Sequence, residues 1–234
     1  MARQSRLTIA GEAHLLLQTG HNRQPVFLDA DDQAHYLADL REVSRSHGVA
    51  VHAYALLPDR VCLLATPAEA GSLSRAMQAL GRRHVPWHNQ RHQRSGTLWE
   101  GRFRTCVVES PARLLAAMCH VERLSLEPGM APELLAQACS SAAHHLGRRR
   151  DPLVTDPAPY WALGNTPFDR EAQYQQLLAQ EPPADDTRQI DAALRKGGVW
   201  GSDTFVARLQ AQTARPLVAR PRGRPRKSAA AAAE

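Results

Sequence analysis

The side chains best suited to chemistry in this sequence are arginines. Arg82, Arg83, Arg91, Arg94, Arg102 and Arg104 gather between positions 82 and 104 against Glu100 alone, with His84, His88 and His92 among them. A second group, Arg220, Arg222, Arg224, Arg226 and Lys227, lies near the end of the chain, and Arg23 stands near its start. A guanidinium stays charged and presents a planar fork that matches phosphate oxygens. Two basic clusters separated by neutral or acidic sequence point to nucleic acid as the partner. A solvated basic surface is the plain alternative. Covalent and metal chemistry has fewer candidates. Cys62, Cys106, Cys119 and Cys139 are far apart and contain no CxxC pair, which argues against a disulfide framework or a zinc knuckle. Cys62 and Cys106 read as small core residues.

The elements that must position these residues follow from periodicity. Residues 13–19 read as a buried strand closed by Gly20, and 30–47 as a helix stopped by Gly48. Strands are expected at 49–57 and 60–66 around the turn Pro58-Asp59. A long helix opens at Gly71-Ser72 and runs to about 92, and a strand follows at 103–109. Ser110 as N-cap and Pro111 at the first helical position predict a helix to about Ser125. The order strand, helix, strand, strand, helix, strand, helix is the split βαβ pattern. It predicts an α+β, ferredoxin-like fold: an antiparallel sheet with helices on one face. Four regions are expected: a core at 1–147, a linker or extension at 148–188, a small helical segment at 189–213, and a disordered basic tail at 214–234. Within the extension one helix is expected at 169–180, and the helical segment reads as two short helices at 189–197 and 202–213.

Composition narrows the class. The 234 residues are 43% hydrophobic and 22% charged, ordinary values for a globular protein. No apolar run is long enough to span a bilayer, so no membrane partner is expected. No apolar signal segment follows the basic start, and the cysteine usage suits a reducing compartment, so a cytoplasmic, nucleoid-associated protein is expected. Of the net charge of +6, residues 215–234 hold +5, from six bases and Glu234.

Three strings carry a family resemblance: His52-Ala53-Tyr54-Ala55-Leu56-Leu57-Pro58 before a hydrophobic strand, Gly96-Thr97-Leu98-Trp99-Glu100-Gly101-Arg102-Phe103, and Gly20-His21-Asn22-Arg23-Gln24. Together they resemble the bacterial single-tyrosine HUH transposases, and among these the REP-associated tyrosine transposases. The likeness spans about residues 5–131, and 190–227 looks like the C-terminal extension of that family. The resemblance implies a ferredoxin-like core that binds hairpin-forming single-stranded DNA and cuts it with a tyrosine. It also implies magnesium or manganese held by a His-hydrophobe-His motif, since residues i and i+2 of a strand share a face. The metal would polarise the scissile phosphate, and the tyrosine would keep the DNA end.

The sequence departs from that pattern at each catalytic position. The metal motif reads Arg60-Val61-Cys62, and the nucleophile position, aligned on Glu122 and Gly129-Met130, holds His120. None of Tyr36, Tyr54, Tyr160 and Tyr174 falls on that helix, and Leu124-Ser125 stands where the family has Asn-Pro. A guanidinium cannot ligate a metal, and one thiolate beside a cation is a poor magnesium site. His120 as a phosphohistidine nucleophile has no visible base or metal partner. Arg60 is open to two readings, a phosphate contact or an exposed strand-end residue. Trp99 is likewise either a base-stacking platform or a core residue.

Arg220-Pro221-Arg222-Gly223-Arg224-Pro225-Arg226-Lys227 resembles an AT-hook, whose arginines enter a narrow duplex minor groove. The expected function is therefore DNA binding, to hairpin or single strands by the core and to duplex by the tail. No cofactor and no metal are expected, and nicking activity is expected to be lost. An active transposase is the alternative enzyme reading, and an RNA-binding or interaction module a further one. A homodimer remains open.

Overall fold

A computed structural model describes residues 6–125 and 139–217. The core is built from β1 (Ala13–Thr19), α1 (Ala30–Ser46), β2 (Val49–Leu57), β3 (Arg60–Pro67), α2 (Ser72–Arg91), β4 (Arg104–Val108) and α3 (Leu114–Arg123). It continues through α4 (Ala142–His145), α5 (Ala158–Trp161), α6 (Pro167–Ala179), α7 (Ala184–Lys196), β5 (Val199–Trp200) and α8 (Asp203–Gln210). The strands lie in the order β2-β3-β1-β4-β5. The first four pair antiparallel, as the split βαβ reading expects, with Thr19 opposite Arg60 and Leu17 opposite both Cys62 and Arg104. The fifth strand adds parallel to β4, through Val107 with Val199 and Val108 with Trp200, so the sheet is mixed.

Strand alternation sorts the core into two layers. Leu16, Tyr54, Leu56, Val61 and Leu63 face α1 and α2, meeting Tyr36, Leu40, Leu73 and Leu80. Leu15, Ala53, Ala55, Cys62, Leu64 and Cys106 face the other way. The expectation put helices on one face only. The second face is also covered, by α3 and by Tyr160, Tyr174, Leu178, Ile190 and Trp200 of the C-terminal region. Residues from 151 onwards thus share an apolar core with the sheet. The reason is supply: β1, β3 and β4 each carry apolar side chains on both faces, and exposed sheet faces of that kind must be buried.

Two local features depart from expectation. The third core helix begins at Leu114, with Arg113 as its N-cap, and Ser110 and Pro111 sit in a preceding turn. Glu109 explains the delay. Its carboxylate accepts from Ser202 N at 2.7 Å and Ser202 Oγ at 2.8 Å, so the chain is tied to the C-terminal region before it turns into α3. The other feature is a register shift in β2 between Val51 and Ala53. His52 lies there, its imidazole bonded to Thr155 O at 2.7 Å and Thr66 Oγ1 at 2.8 Å.

A buried polar network fastens α3 to the later segments. Glu122 Oε1 accepts from Ser141 Oγ (2.5 Å) and His145 Nδ1 (2.6 Å), and Oε2 accepts from Tyr174 OH (2.8 Å). His145 Nε2 also faces Asp156 at 3.5 Å. Burial alone would lower the His145 pKa, but Glu122 and Asp156 outweigh it and push it up to about 9. The outer edge of β2 is partly covered as well. Leu56 N donates to Cys139 O, Ser141 N to Tyr54 O, and Thr155 N to Val51 O.

Candidate nucleic-acid interface

The three positions that the family motif would use lie in three different surroundings. Cys62 is 1% exposed in the core beneath α3, and burial pushes its thiol up to about 12. Arg60 shares its sheet face but stands at the strand end, where its Nε donates to Asp59 Oδ1 at 2.8 Å. His120 lines an apolar pocket of about 290 Å³ with Leu177, Pro182, Ile190 and Trp200, and burial lowers its pKa. These residues do not fit a magnesium or manganese ion. Arg60 brings a positive charge of its own, and Cys62 offers a protonated thiol sealed in apolar packing.

A basic groove of about 380 Å³ opens at the end of β1 and the start of β4. Its basic lining residues are Arg6, Arg102, Arg104, Arg195, Lys196 and Arg215, with Glu100 the one acidic residue of the lining. Three segments distant in sequence build it. The loop before β4 is held to the sheet by His21 N→Leu98 O (2.9 Å), Glu100 N→Thr19 O (2.9 Å) and a bridge from Gly20 to Trp99. Gly101 turns with φ +145°, a conformation side chains resist, and delivers Arg102 to the rim. Leu17 and Arg104 are opposite each other, and Thr19 is opposite Arg60, so alternation sets Arg60 and Arg104 on one face. The end of α7 supplies Arg195 and Lys196, closed by Gly197 in the left-handed conformation. Arg215 Nη2 caps that end by donating to Lys196 O (3.1 Å) and Gly197 O (2.8 Å). Arg6 lies over the Phe103 ring at 3.8 Å and donates to Phe103 O at 3.0 Å.

Pairing separates the candidate arginines. Arg83 is bound to Glu42 at 2.6 Å. Arg91 is bound to Asp29, Asp31 and Asp32 at 2.8, 3.1 and 2.7 Å. Arg94 donates to Thr97 O at 3.4 Å. Arg102, Arg104, Arg195 and Lys196 have no acidic partner among the described residues, and neither do Arg23 and Arg82, both exposed elsewhere on the surface. The structure thus brings Arg102 and Arg104 together with Arg6, Arg195, Lys196 and Arg215, four groove residues that were not among the sequence candidates. Their one signal in sequence is the Arg-Lys-Gly string at the end of a helix. Trp99 is 7% exposed and packs edge-on to Tyr36 at 6.2 Å, which supports its core reading. Arg220, Arg222, Arg224, Arg226 and Lys227, like Gly129-Met130, lie outside the described residues. No described helix is long and apolar enough to cross a membrane.

No protein-family model matches the chain, and no curated protein does. Solved structures similar to this chain include the following two. One is a REP-associated tyrosine transposase bound to a REP hairpin, with 13% identity over 68% of this chain and 93% of that one, and a TM-score of 0.47. The other is a candidate transposase from Deinococcus radiodurans r1, with 23% identity over 47% of this chain and 89% of that one, and a TM-score of 0.36. Both are described as transposases, the class that the sequence motifs resemble. The basic groove itself is built from this chain's own side chains.

Proposed function

We propose that this protein binds DNA without cutting it. The groove of Arg102 and Arg104 takes hairpin or single-stranded DNA, and the C-terminal basic string takes the duplex minor groove. The observation that carries the reading is the contrast in pairing. On the helical face, Arg83 and Arg91 are held by carboxylates, whereas four groove bases have no such partner among the described residues. Such a concentration of cations repels itself and is relieved by a polyanion. Arg60, ion-paired to Asp59 at 2.8 Å, reads by the same contrast as a strand-end residue and not as a phosphate contact. Loss of nicking follows from Arg60, Cys62 and His120, none of which supplies the metal ligand or phenolic nucleophile that the reaction requires.

The test is anisotropy on labelled hairpin, duplex and RNA-hairpin substrates, comparing the wild type with the double variant Arg102→Ala, Arg104→Ala. The double variant should bind hairpin DNA about tenfold more weakly, with a salt slope flatter by about 0.7 per lost single-strand contact. Unchanged hairpin affinity would remove the groove from the reading. A preference for the RNA hairpin would turn it into an RNA-binding module. Incubation with manganese followed by a denaturing gel should give no covalent adduct, and an adduct would make this an enzyme.

A further inference from the structure

Away from the groove, the packed faces of α1 and α2 hold a group of histidines, His84 and His88 buried and His92 half-buried, that DNA binding does not use. His84 and His88 of α2 and its C-cap residue His92 recur every four residues, so they lie along one side of the helix. Asp32 of α1 faces the last two and is 0% exposed. His92 Nε2 lies 2.8 Å from Asp32 Oδ1, and His88 Nε2 lies 3.9 Å from Asp32 Oδ2. One ligand atom from each of Asp32, His88 and His92 falls within 4.8 Å of the others.

His88 is the second, independent observation. It is 1% exposed, and neither ring nitrogen has a hydrogen-bond partner. A buried polar group in that state is costly, and its Nε2 is aimed at the carboxylate without reaching it.

We propose that Asp32, His88 and His92 form a binding site for a divalent transition-metal ion of the zinc class, bridging α1 and α2. Tetrahedral zinc bonds of about 2.0–2.1 Å set its ligand atoms roughly 3.3 Å apart, and for Asp32 Oδ2, the oxygen that both rings approach, the separations of 3.0 Å from His92 Nε2 and 3.9 Å from His88 Nε2 bracket that spacing. Two imidazoles and one carboxylate suit zinc, and also cobalt or nickel, better than magnesium. The ion takes the place of the His92–Asp32 hydrogen bond, with each neutral ring carrying its proton on Nδ1. A fourth position is left to water. Arg91 does not oppose the ion, because Asp29, Asp31 and Asp32 surround its single guanidinium with three carboxylates. Together with the Leu28 N–H, which donates to Asp32 Oδ2 at 2.8 Å, Arg91 orients the carboxylate from outside.

The experiment is calorimetric titration of zinc into chelator-stripped full-length protein, with cobalt(II) absorption as a second readout. One ion per chain is expected, at a dissociation constant below about 10 µM. Zinc should also raise the thermal midpoint, and cobalt should show tetrahedral d–d bands. The double variant His88→Phe, His92→Gln, which keeps a large ring at the buried position, should bind at least a hundredfold more weakly. His84→Phe and Cys62→Ser should bind as the wild type does. His92 lies at the surface end of the cluster, so His92→Gln alone serves if the double variant does not fold. Absence of stoichiometric zinc binding, or binding that survives loss of His92, overturns the site.

Discussion

At Cys62 and Cys106, burial decides the chemistry. Both thiols are pushed up to about 12, Cys119 likewise to about 12 and Cys139 to about 11, so none is a ready thiolate near neutral pH. Native protein should therefore resist alkylation at pH 8, with Cys62 and Cys106 modified only on unfolding. Mass mapping after a timed pulse of iodoacetamide checks this, and rapid labelling of Cys62 would contradict its place in the core. His14 offers a second test. Its Nδ1 donates to Glu12 O at 2.8 Å, and its Nε2 accepts from Ile9 N at 3.1 Å. Burial pulls its pKa down to about 4, so the folded chain holds it neutral. The unfolded chain takes up that proton near pH 6.5. Stability is therefore lost as pH falls from about 6.5 to about 4, by at most about 1.4 kcal/mol per pH unit. Urea denaturation across that window should show a shallower fall in His14→Gln, which cannot bind the proton.

Among the elements, α3 and the C-terminal region are interdependent. Trp200 is 2% exposed, and its indole Nε1 donates to Gln189 Oε1 at 3.2 Å. Trp200→Ala should cost about 3–5 kcal/mol, read as a lower urea midpoint. His145 sets a pH window opposite to that of His14. With a folded pKa of about 9, its contribution is complete below about pH 6.5 and is lost as pH rises through 9. A His145→Gln variant should be less stable at pH 6 and lose little more by pH 9. The first four strands and α1 and α2 are legible in the sequence because each is a long periodic run bounded by Gly48, Pro58-Asp59 or Gly71. The fifth strand is not, because two residues have no period to read. The α3 start is misread at Ser110-Pro111 because a good cap signal is overruled by the Glu109–Ser202 tie. The groove is half legible for a related reason. Arg102 and Arg104 stand out in a basic run, whereas Arg6, Arg195 and Lys196 become neighbours only through the fold.

For the whole molecule, the proposed reading divides the charge between two binders. Residues 215–234 hold +5 of the +6 net charge, and the described chain reaches Leu217 just past the groove residue Arg215. Deleting residues 218–234 should flatten the salt slope for duplex binding by several units. Hairpin preference should survive the deletion, because the proposed reading assigns it to the groove. Salt titrations of both proteins on both substrates check this, and an unchanged duplex slope would mean the basic string does not touch DNA.

The edges of the sheet have a consequence for how copies of this chain can meet. An open strand edge is a template on which another molecule can add its own backbone, the first step towards swapped dimers and fibrils. Here Cys139, Ser141 and Thr155 already occupy backbone groups along β2, and the opposite edge ends in a strand of two residues, Val199 and Trp200. Among the described residues, neither margin offers a long free ladder. The segment from Cys139 to Thr155 thus works as a guard rail, and its detachment is the event that would expose the chain to templated aggregation. For a second copy meeting the folded protein, the helices and loops offer the larger surface, where contacts are made by side chains and can be tuned one residue at a time.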